Sequence, residues 1–140
     1  MIVAQTESTL AAIVEALQGV DRVGLDVEGN GFHAYRAELC VLQLAWQGAD
    51  GVEIAIVDPF VVDLDPLAPI FGDDGPLKVL HDLTFDARLL DDFGLRLSHV
   101  HDTAVMAQLL GVQKSGLASL VEAHFGVVLS KTLQDHDWAE

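Results

Sequence analysis

Two acidic residues, Asp26 and Glu28, interrupt an otherwise apolar run, R-V-G-L-D-V-E-G, which is typical of a β-strand. Residues two apart on a strand point to the same face, so we expect both carboxylates to project together while Leu25 and Val27 face the other way. Two carboxylates in a partly buried site repel each other and resist desolvation, and a divalent cation commonly relieves both effects. This segment therefore predicts a metal site on a central strand. The alternative is a surface carboxylate pair on an edge strand.

A second acidic position is Asp86, in the run K-V-L-H-D-L-T-F-D-A-R-L-L. The pattern predicts a short buried strand that leads into a helix, with Asp86 in the first helical turn. The N-terminus of a helix stabilises an acid there, so Asp86 is interpreted either as a partner of the helix dipole or as a metal ligand. Asp82 and His81 are further candidates, although a histidine at the end of a strand more often supports a ligand than acts as one.

The elements that must position these acids are predicted from apolar spacing and turn residues. The acid pair lies on the first of three strands whose connections are too short for a helical crossover, so these strands pair antiparallel. An amphipathic helix from Thr6 or Ser8 to Leu17 precedes them, and helices alternate with strands after them. The predicted strands are 1–4, 22–28, 39–46, 52–57, 77–81 and 98–101. This order predicts an α/β fold, a mixed sheet with three antiparallel strands followed by two parallel strands and flanked by helices.

Composition limits the class of protein. The 140 residues fit one domain, and a hydrophobic fraction of 51% predicts several buried strands. The single cysteine, Cys40, excludes a disulfide framework and is expected to be buried and inert. No apolar run is long enough to span a bilayer and no signal peptide is recognised, so the expected compartment is the cytoplasm. The formal charge of -15 argues against loose electrostatic binding of nucleic acid, but it allows a nucleic-acid substrate held through metal ions.

Several motifs in a fixed order resemble the ribonuclease D family of 3′-5′ exonucleases, in the tyrosine-type branch of the DEDD superfamily. They are G-L-D-V-E, A-E-L-C-V-L-Q-L-A, K-V-L-H-D-L-T-F-D-A-R-L-L-D-D-F-G, H-D-T-A-V-M-A-Q-L-L-G and L-S-K-T-L-Q-D-H-D-W. The resemblance runs from about Val20 to the last residue and implies a ribonuclease H-like fold with a mixed five-stranded sheet.

The resemblance also implies a metal site. Asp26 and Glu28 match the first two acids of the family's site, and Asp86 matches the third. Together they would hold two Mg²⁺ or Mn²⁺ ions about 4 Å apart, which would activate a water and stabilise the phosphate and the leaving oxygen. Asp102 matches a recurrent Asp-Thr of the family, which capping of a helix explains.

The loop after the first motif contains the expected substrate contacts. Phe32, His33, Tyr35 and Arg36 lie where the family brings the 3′-terminal nucleotide of single-stranded RNA or DNA. Aromatic side chains there would stack on bases, and the arginine would contact phosphate. The alternative is a loop that packs its aromatic side chains on its own core.

The sequence departs from the family at the third motif, a Tyr-x-x-x-Asp helix that supplies a water-orienting tyrosine and the fourth metal acid. Tyr35 is the only tyrosine and lies before the second motif, and neither His101 nor His136 fits the His-x-x-x-x-Asp spacing of the other branch. Three explanations are a fragment of a longer protein, a natural short form that is inactive or completed by a partner, and a site with unexpected acids. We favour the first and interpret 1–140 as a single, C-terminally truncated exonuclease domain.

The leading hypothesis is a metal-dependent 3′-5′ exonuclease domain that hydrolyses single-stranded nucleic acid to nucleoside 5′-monophosphates. One alternative is a non-catalytic remnant of the fold that binds nucleic acid or protein. A second follows from L-D-V-E-G-N-G, which resembles the L-D-x-D-G-T loop of haloacid-dehalogenase-type phosphatases. Against it, Glu28 and Asn30 replace the second Asp and the Thr, and an antiparallel strand is expected to follow at once.

Overall fold

The computed structural model describes residues 1–31, 34–130 and 136–139. In these residues six strands form one sheet, and their bounds are β1 Ile2–Ala4, β2 Arg22–Gly29, β3 Leu39–Gly48, β4 Gly51–Val57, β5 Leu77–Leu80 and β6 Val100–Asp102. Their order across the sheet is β1-β4-β3-β2-β5-β6. The strands β2, β3 and β4 pair antiparallel, whereas β5 and β6 extend the sheet in parallel beyond β2. The predicted mixed sheet is confirmed. The strand predicted at 1–4 is β1, which pairs parallel with β4 at the far edge, so the sheet has six strands rather than the five that the resemblance implied.

The helices of the described chain are α1 Glu7–Leu17, α2 Ala68–Phe71, α3 Leu83–Asp91, α4 Thr103–Leu109 and α5 Leu117–Phe125. A single 3₁₀ turn, Asp65–Leu67, leads into α2. The start of α1 is the predicted one, because the Thr6 hydroxyl accepts a hydrogen bond of 3.2 Å from the backbone N–H of Thr9. No helix in the described part of the chain is long and apolar enough to cross a membrane.

The hydrophobic core lies on one face of the sheet. Alternate residues of β2 point into it, and Val23, Leu25 and Val27 are all buried. The helix α1 covers this face with the apolar stripe that its sequence spacing predicted, and α3 contributes two leucines. The other main members of the hydrophobic core are Leu10, Ile13, Leu17, Leu42, Leu44, Trp46, Leu89 and Leu90. Burial of each such leucine contributes about 1.5–3 kcal/mol, so this face determines how α1 and α3 dock.

The opposite face of the sheet carries the acid pair. Asp26 is exposed there and Glu28 is half-buried, so the partly buried environment expected for the pair is found at Glu28. The reason is that the core helices cover only the face of Leu25 and Val27, while Asp26 and Glu28 share the other, as the alternation predicted. The strand itself is central rather than an edge, because β3 and β5 flank it. Since β3 returns antiparallel directly after the loop, the phosphatase alternative is excluded by topology.

Candidate functional site

The pairing of β2 with β3 places an amide beside the two carboxylates. In the antiparallel register Asp26 lies opposite Gln43. The Gln43 Nε2 donates to Asp26 Oδ2 at 3.5 Å and to Glu28 Oε1 at 3.4 Å, so one side chain spans the pair through two long contacts. Gln43 was not predicted from the sequence as part of the site. Strand alternation combined with the correct register would have found it, since Gln43 lies on the same face as both acids.

Partial desolvation raises the pKa of both strand carboxyls, and the charge of Asp26 adds to the effect at Glu28. Desolvation raises the pKa of Asp26, against a smaller lowering effect of the Val27 backbone N–H. Desolvation also raises the pKa of Glu28, with a further increase from the charge of Asp26 and a partial decrease from the Gln43 amide. The two groups thus favour protons, or another positive charge, more strongly than free carboxyls do.

Asp86 joins the pair from the helix α3. Its side chain is only 5% exposed, and its Oδ2 is buried without a hydrogen-bond partner among the described residues. Desolvation, followed by the charges of Asp26, Asp82, Glu28 and Asp102, raises its pKa to about 7. A helix N-terminus alone would lower that pKa, so desolvation and the neighbouring acids outweigh the helix dipole at Asp86. The effect of Asp26 and Glu28 shows that the three predicted acids form one electrostatic cluster.

A close approach of α3 to the end of β2 brings Asp86 to the pair. At Gly29 an added Cβ would lie 2.9 Å from the Glu38 carbonyl oxygen, 2.9 Å from Leu89 Cδ1 and 3.3 Å from Phe85 Cζ. Gly29 has no positive φ, so its missing side chain serves this close packing of α3 and not an unusual backbone angle.

These oxygen donors fit a hard divalent cation. A buried carboxylate oxygen without a donor, in a cluster of like charges, is satisfied by a cation and poorly by any other group. In the described residues, no three His, Cys, Asp or Glu side chains are arranged closely enough to hold a metal ion as they stand. Asp86 is held by its helix, whereas Asp26 is exposed and Glu28 half-buried. A metal ion held by all three would need their carboxylates to lie closer together than they do in this structure.

Beside Glu28 lies a groove of about 710 Å³. Its lining residues are Glu28, Gly29, Gly31, Ala34, Tyr35, Arg36, Ala37, Phe85, Arg88 and Trp138. Tyr35 is fully exposed, so the alternative in which the loop packs its aromatics on its own core is wrong for this residue. Arg36 forms an exposed ion pair of 2.8 Å with Asp92, and it remains on the rim of the groove. The predicted contacts Phe32 and His33 lie outside the described residues.

Two groove residues on α3 were not predicted from the sequence. Phe85 and Arg88 flank Asp86, and the Arg88 guanidinium carbon lies 5.7 Å from the centre of the Phe85 ring. This distance is that of a cation–π contact. The signal was present in the sequence, because residues three apart on a helix, such as Phe85 and Arg88, share one face. Trp138 is partly buried and lines the wall of this groove.

Two other candidate residues, Asp102 and His81, form hydrogen bonds within the fold. Asp102 caps α4 as predicted, with its oxygens accepting from backbone N–H groups. The His81 ring bonds the Thr103 hydroxyl at 2.9 Å. Cys40 is buried as expected, and desolvation raises the pKa of its thiol, which makes it unreactive.

A model of 3′-5′ exonuclease domains matches residues 1–140, the whole chain. The chain belongs to the 3′-5′ exonuclease family. Ribonuclease D of Escherichia coli is 33% identical over 136 residues, which are 95% of this chain and 35% of that protein. The solved structure of the same protein, described as an exoribonuclease involved in structured RNA processing, superimposes with a TM-score of 0.86 at 31% identity, over 99% of this chain and 36% of that one. The catalytic core of RRP6 from Trypanosoma brucei superimposes with a TM-score of 0.90 at 29% identity, over 99% of this chain and 38% of that one.

The resemblance to the ribonuclease D group and the ribonuclease H-like fold are thus confirmed. The chain spans about a third of the length of these relatives. What it shares with them is the fold of the exonuclease domain.

Proposed function

We propose that this domain hydrolyses the 3′-terminal phosphodiester of single-stranded RNA or DNA and releases nucleoside 5′-monophosphates. The observation that carries the proposal is the cluster of Asp26, Glu28 and Asp86, with a buried, unpartnered Asp86 oxygen and a pKa of about 7. Carboxyls with strongly raised pKa values in a cleft are typical of functional sites. Membership of the 3′-5′ exonuclease family supports the same chemistry.

Asp26, Glu28 and Asp86 are the residues that would hold the metal. Exonucleases of this family depend on divalent metal ions, and two Mg²⁺ or Mn²⁺ ions are the proposed complement. Bound ions supply charge neutralisation at the phosphate and a water of lowered pKa. The chain positions the carboxylates from two rigid elements, a central strand and a docked helix. The Gln43 amide holds Asp26 and Glu28 near each other.

The groove beside Glu28 is proposed to receive the 3′-terminal nucleotides. Tyr35, Phe85 and Trp138 offer aromatic faces on which bases stack, and such stacking contributes about 1–3 kcal/mol per base. Arg88 and Arg36 supply positive charge in a chain whose net charge is -15. So acidic a surface repels the phosphates of a long duplex. Binding of a short single-stranded end through base stacking is therefore favoured. The description of the Escherichia coli relative as an exoribonuclease supports RNA as the first substrate to test.

Hydrolysis is proposed to require a further tyrosine and acid. No Tyr-x-x-x-Asp occurs in the 140 residues, so nothing in this sequence supplies the group that orients water in the tyrosine-type branch. We expect the 140-residue chain to bind Mn²⁺ and single-stranded ends. We expect cleavage only from a longer product that also contains the third motif, a Tyr-x-x-x-Asp helix.

The test combines metal binding with cleavage. Calorimetry with Mn²⁺ is compared for the wild type, for Asp26→Asn and for Asp91→Asn, a matched change at an exposed acid on α3. Cleavage of 5′-labelled single-stranded RNA and DNA is followed with Mg²⁺ or Mn²⁺, for this chain and for the longer product. The proposal predicts that Asp26→Asn weakens Mn²⁺ binding at least tenfold and abolishes shortening from the 3′ end, while Asp91→Asn changes neither.

Two results would overturn parts of the proposal. If the longer product binds the labelled strands but never shortens them, the fold serves as a binding module and the exonuclease assignment fails. If the 140-residue chain alone shortens them, the third motif is dispensable.

A further inference from the structure

Asp102 makes more hydrogen bonds than a helix cap needs. Its Oδ1 accepts from the N–H groups of Ala104 and Val105 at 2.9 and 3.3 Å, which is the ordinary cap of α4. The same Oδ1 also accepts from Asp82 N–H at 3.1 Å, and its Oδ2 accepts from Leu83 N–H at 2.9 Å. The last two donors belong to the start of α3, about twenty residues earlier in the chain. One carboxylate therefore ties the first turns of α3 and α4 together.

The backbone at this junction needs such support. Asp82 has a φ of 67°, in the left-handed region that non-glycine residues rarely adopt. This conformation turns the chain sharply from β5 into α3 and directs two successive N–H groups at Asp102. A backbone outlier persists when its surroundings over-determine it, and the Asp102 carboxylate supplies that constraint.

Thr103 adds hydrogen bonds to the end of β5. Its hydroxyl donates to the Leu80 carbonyl oxygen at 3.0 Å and lies 2.9 Å from His81 Nδ1. Since the single hydroxyl proton is used on Leu80, the His81 ring nitrogen is the donor of the second bond. Asp102 and Thr103 together hold four consecutive residues, from Leu80 through Leu83. We call this set of bonds the Asp102–Thr103 clamp.

The Asp102–Thr103 clamp determines where Asp86 lies. Asp86 lies one turn after Leu83, and its Oδ2 has no hydrogen-bond partner among the described residues. Its place relative to β2 is therefore set by where α3 begins and by how closely the helix docks. The carboxylates of Asp26 and Glu28 repel the charged form of Asp86, so they do not hold it in place. The bonds from Asp102 to the N–H groups of Asp82 and Leu83 fix the backbone where its helix begins.

We propose that Asp102, with Thr103, is a positioning residue for the metal site: it fixes the start of α3 so that Asp86 stays opposite Asp26 and Glu28. The inference rests on the proposed function only in naming Asp86 as a metal ligand. The capping role that the sequence predicted for Asp102 accounts for two of its four bonds, and the other two are the basis of this assignment.

The variant Asp102→Ser separates the two roles. Serine is as good a cap as aspartate, so α4 keeps its N-terminus, but one short hydroxyl oxygen cannot also reach the α3 amides. The matched control is Thr6→Ala, which removes the cap of α1 on the other side of the core. Thr103→Val, which keeps the side-chain shape and removes the bonds to Leu80 and His81, is the second variant should Asp102→Ser fail to fold.

The readouts are Mn²⁺ affinity by calorimetry, well below the unfolding temperature, and amide hydrogen exchange. Asp102→Ser is expected to weaken Mn²⁺ binding about tenfold, as the loss of groups that orient metal ligands commonly does. It is also expected to speed exchange at Leu83 through Asp86, and Thr103→Val acts in the same direction. Thr6→Ala is expected to lower the unfolding temperature without changing either readout.

Each outcome separates the clamp from the proposed function. If the wild type binds Mn²⁺ and Asp102→Ser binds it equally well, the clamp is overturned and the metal site stands. If the wild type binds no Mn²⁺, the proposed function fails, and hydrogen exchange decides the clamp. Unchanged protection at Leu83 through Asp86 in Asp102→Ser then overturns it, and lost protection supports it.

Discussion

Replacing Asp86 by asparagine is expected to remove Mn²⁺ binding and to stabilise the metal-free protein at neutral pH. The Asp86 side chain is 5% exposed, and desolvation with the neighbouring carboxylates raises its pKa from 3.8 to about 7. The folded protein keeps a proton at Asp86 that the unfolded chain releases above about pH 4. The contribution of Asp86 to the free energy of unfolding is therefore fully present below pH 3.8 and is lost as pH rises to about 7.

The size of this effect follows from linkage. Each pH unit over which the folded state binds one more proton changes the free energy of unfolding by about 1.4 kcal/mol, so the loss between the two pKa values is about 4 kcal/mol. Asparagine is neutral at every pH in this range. The stability of Asp86→Asn relative to the wild type should therefore be about 4 kcal/mol greater at pH 8 than at pH 4, whatever the intrinsic effect of the amide.

The assay is urea denaturation of both proteins in a metal chelator, at several values between about pH 4 and pH 8. The control Asp91→Asn makes the same chemical change at an exposed position on α3, where the difference from the wild type should stay within about 0.5 kcal/mol. A difference between Asp86→Asn and the wild type that does not change with pH would refute the argument, because Asp86 would then have an ordinary pKa. Added Mn²⁺ should stabilise the wild type at pH 8 and leave Asp86→Asn unchanged.

Three further predictions concern the same elements. Mn²⁺ affinity of the wild type, measured by calorimetry, should rise about tenfold per pH unit as Asp86 loses its proton and should level off above about pH 7; a constant affinity from pH 5 to pH 8 would contradict this. Gly29→Ala should lower the free energy of unfolding, measured in urea, by about 1–3 kcal/mol and should weaken Mn²⁺ binding. The reason is that the new Cβ would lie 2.9 Å from both the Glu38 oxygen and Leu89 Cδ1, so α3 would have to move. Unaltered Mn²⁺ affinity would show that α3 does not move. Lys78→Met should cost about 1–3 kcal/mol of stability, since the fully buried Nζ donates to two carbonyl oxygens, while Mn²⁺ affinity stays at the wild-type value.

Much of the fold was readable from residue spacing. Strand alternation in R-V-G-L-D-V-E separated the core-facing Leu25 and Val27 from the outward Asp26 and Glu28, because side-chain direction on a strand depends on the local backbone alone. The short loops after β2 and β3 required antiparallel pairing for the same local reason. The position of β1 at the far edge, parallel to β4, was not readable, because it depends on which edge the α1 crossover reaches.

The sequence by itself determined which side chains can bind a metal and on which faces they lie. It identified Asp26, Glu28 and Asp86 through their types, their local elements and the family resemblance. Only the tertiary structure decided that Asp86 is buried without a donor, that Gln43 spans the strand pair, and that Asp102 ties α3 to α4. These properties arise between residues far apart in the chain, where burial, register and charge are set by packing. Local spacing carries no information on them.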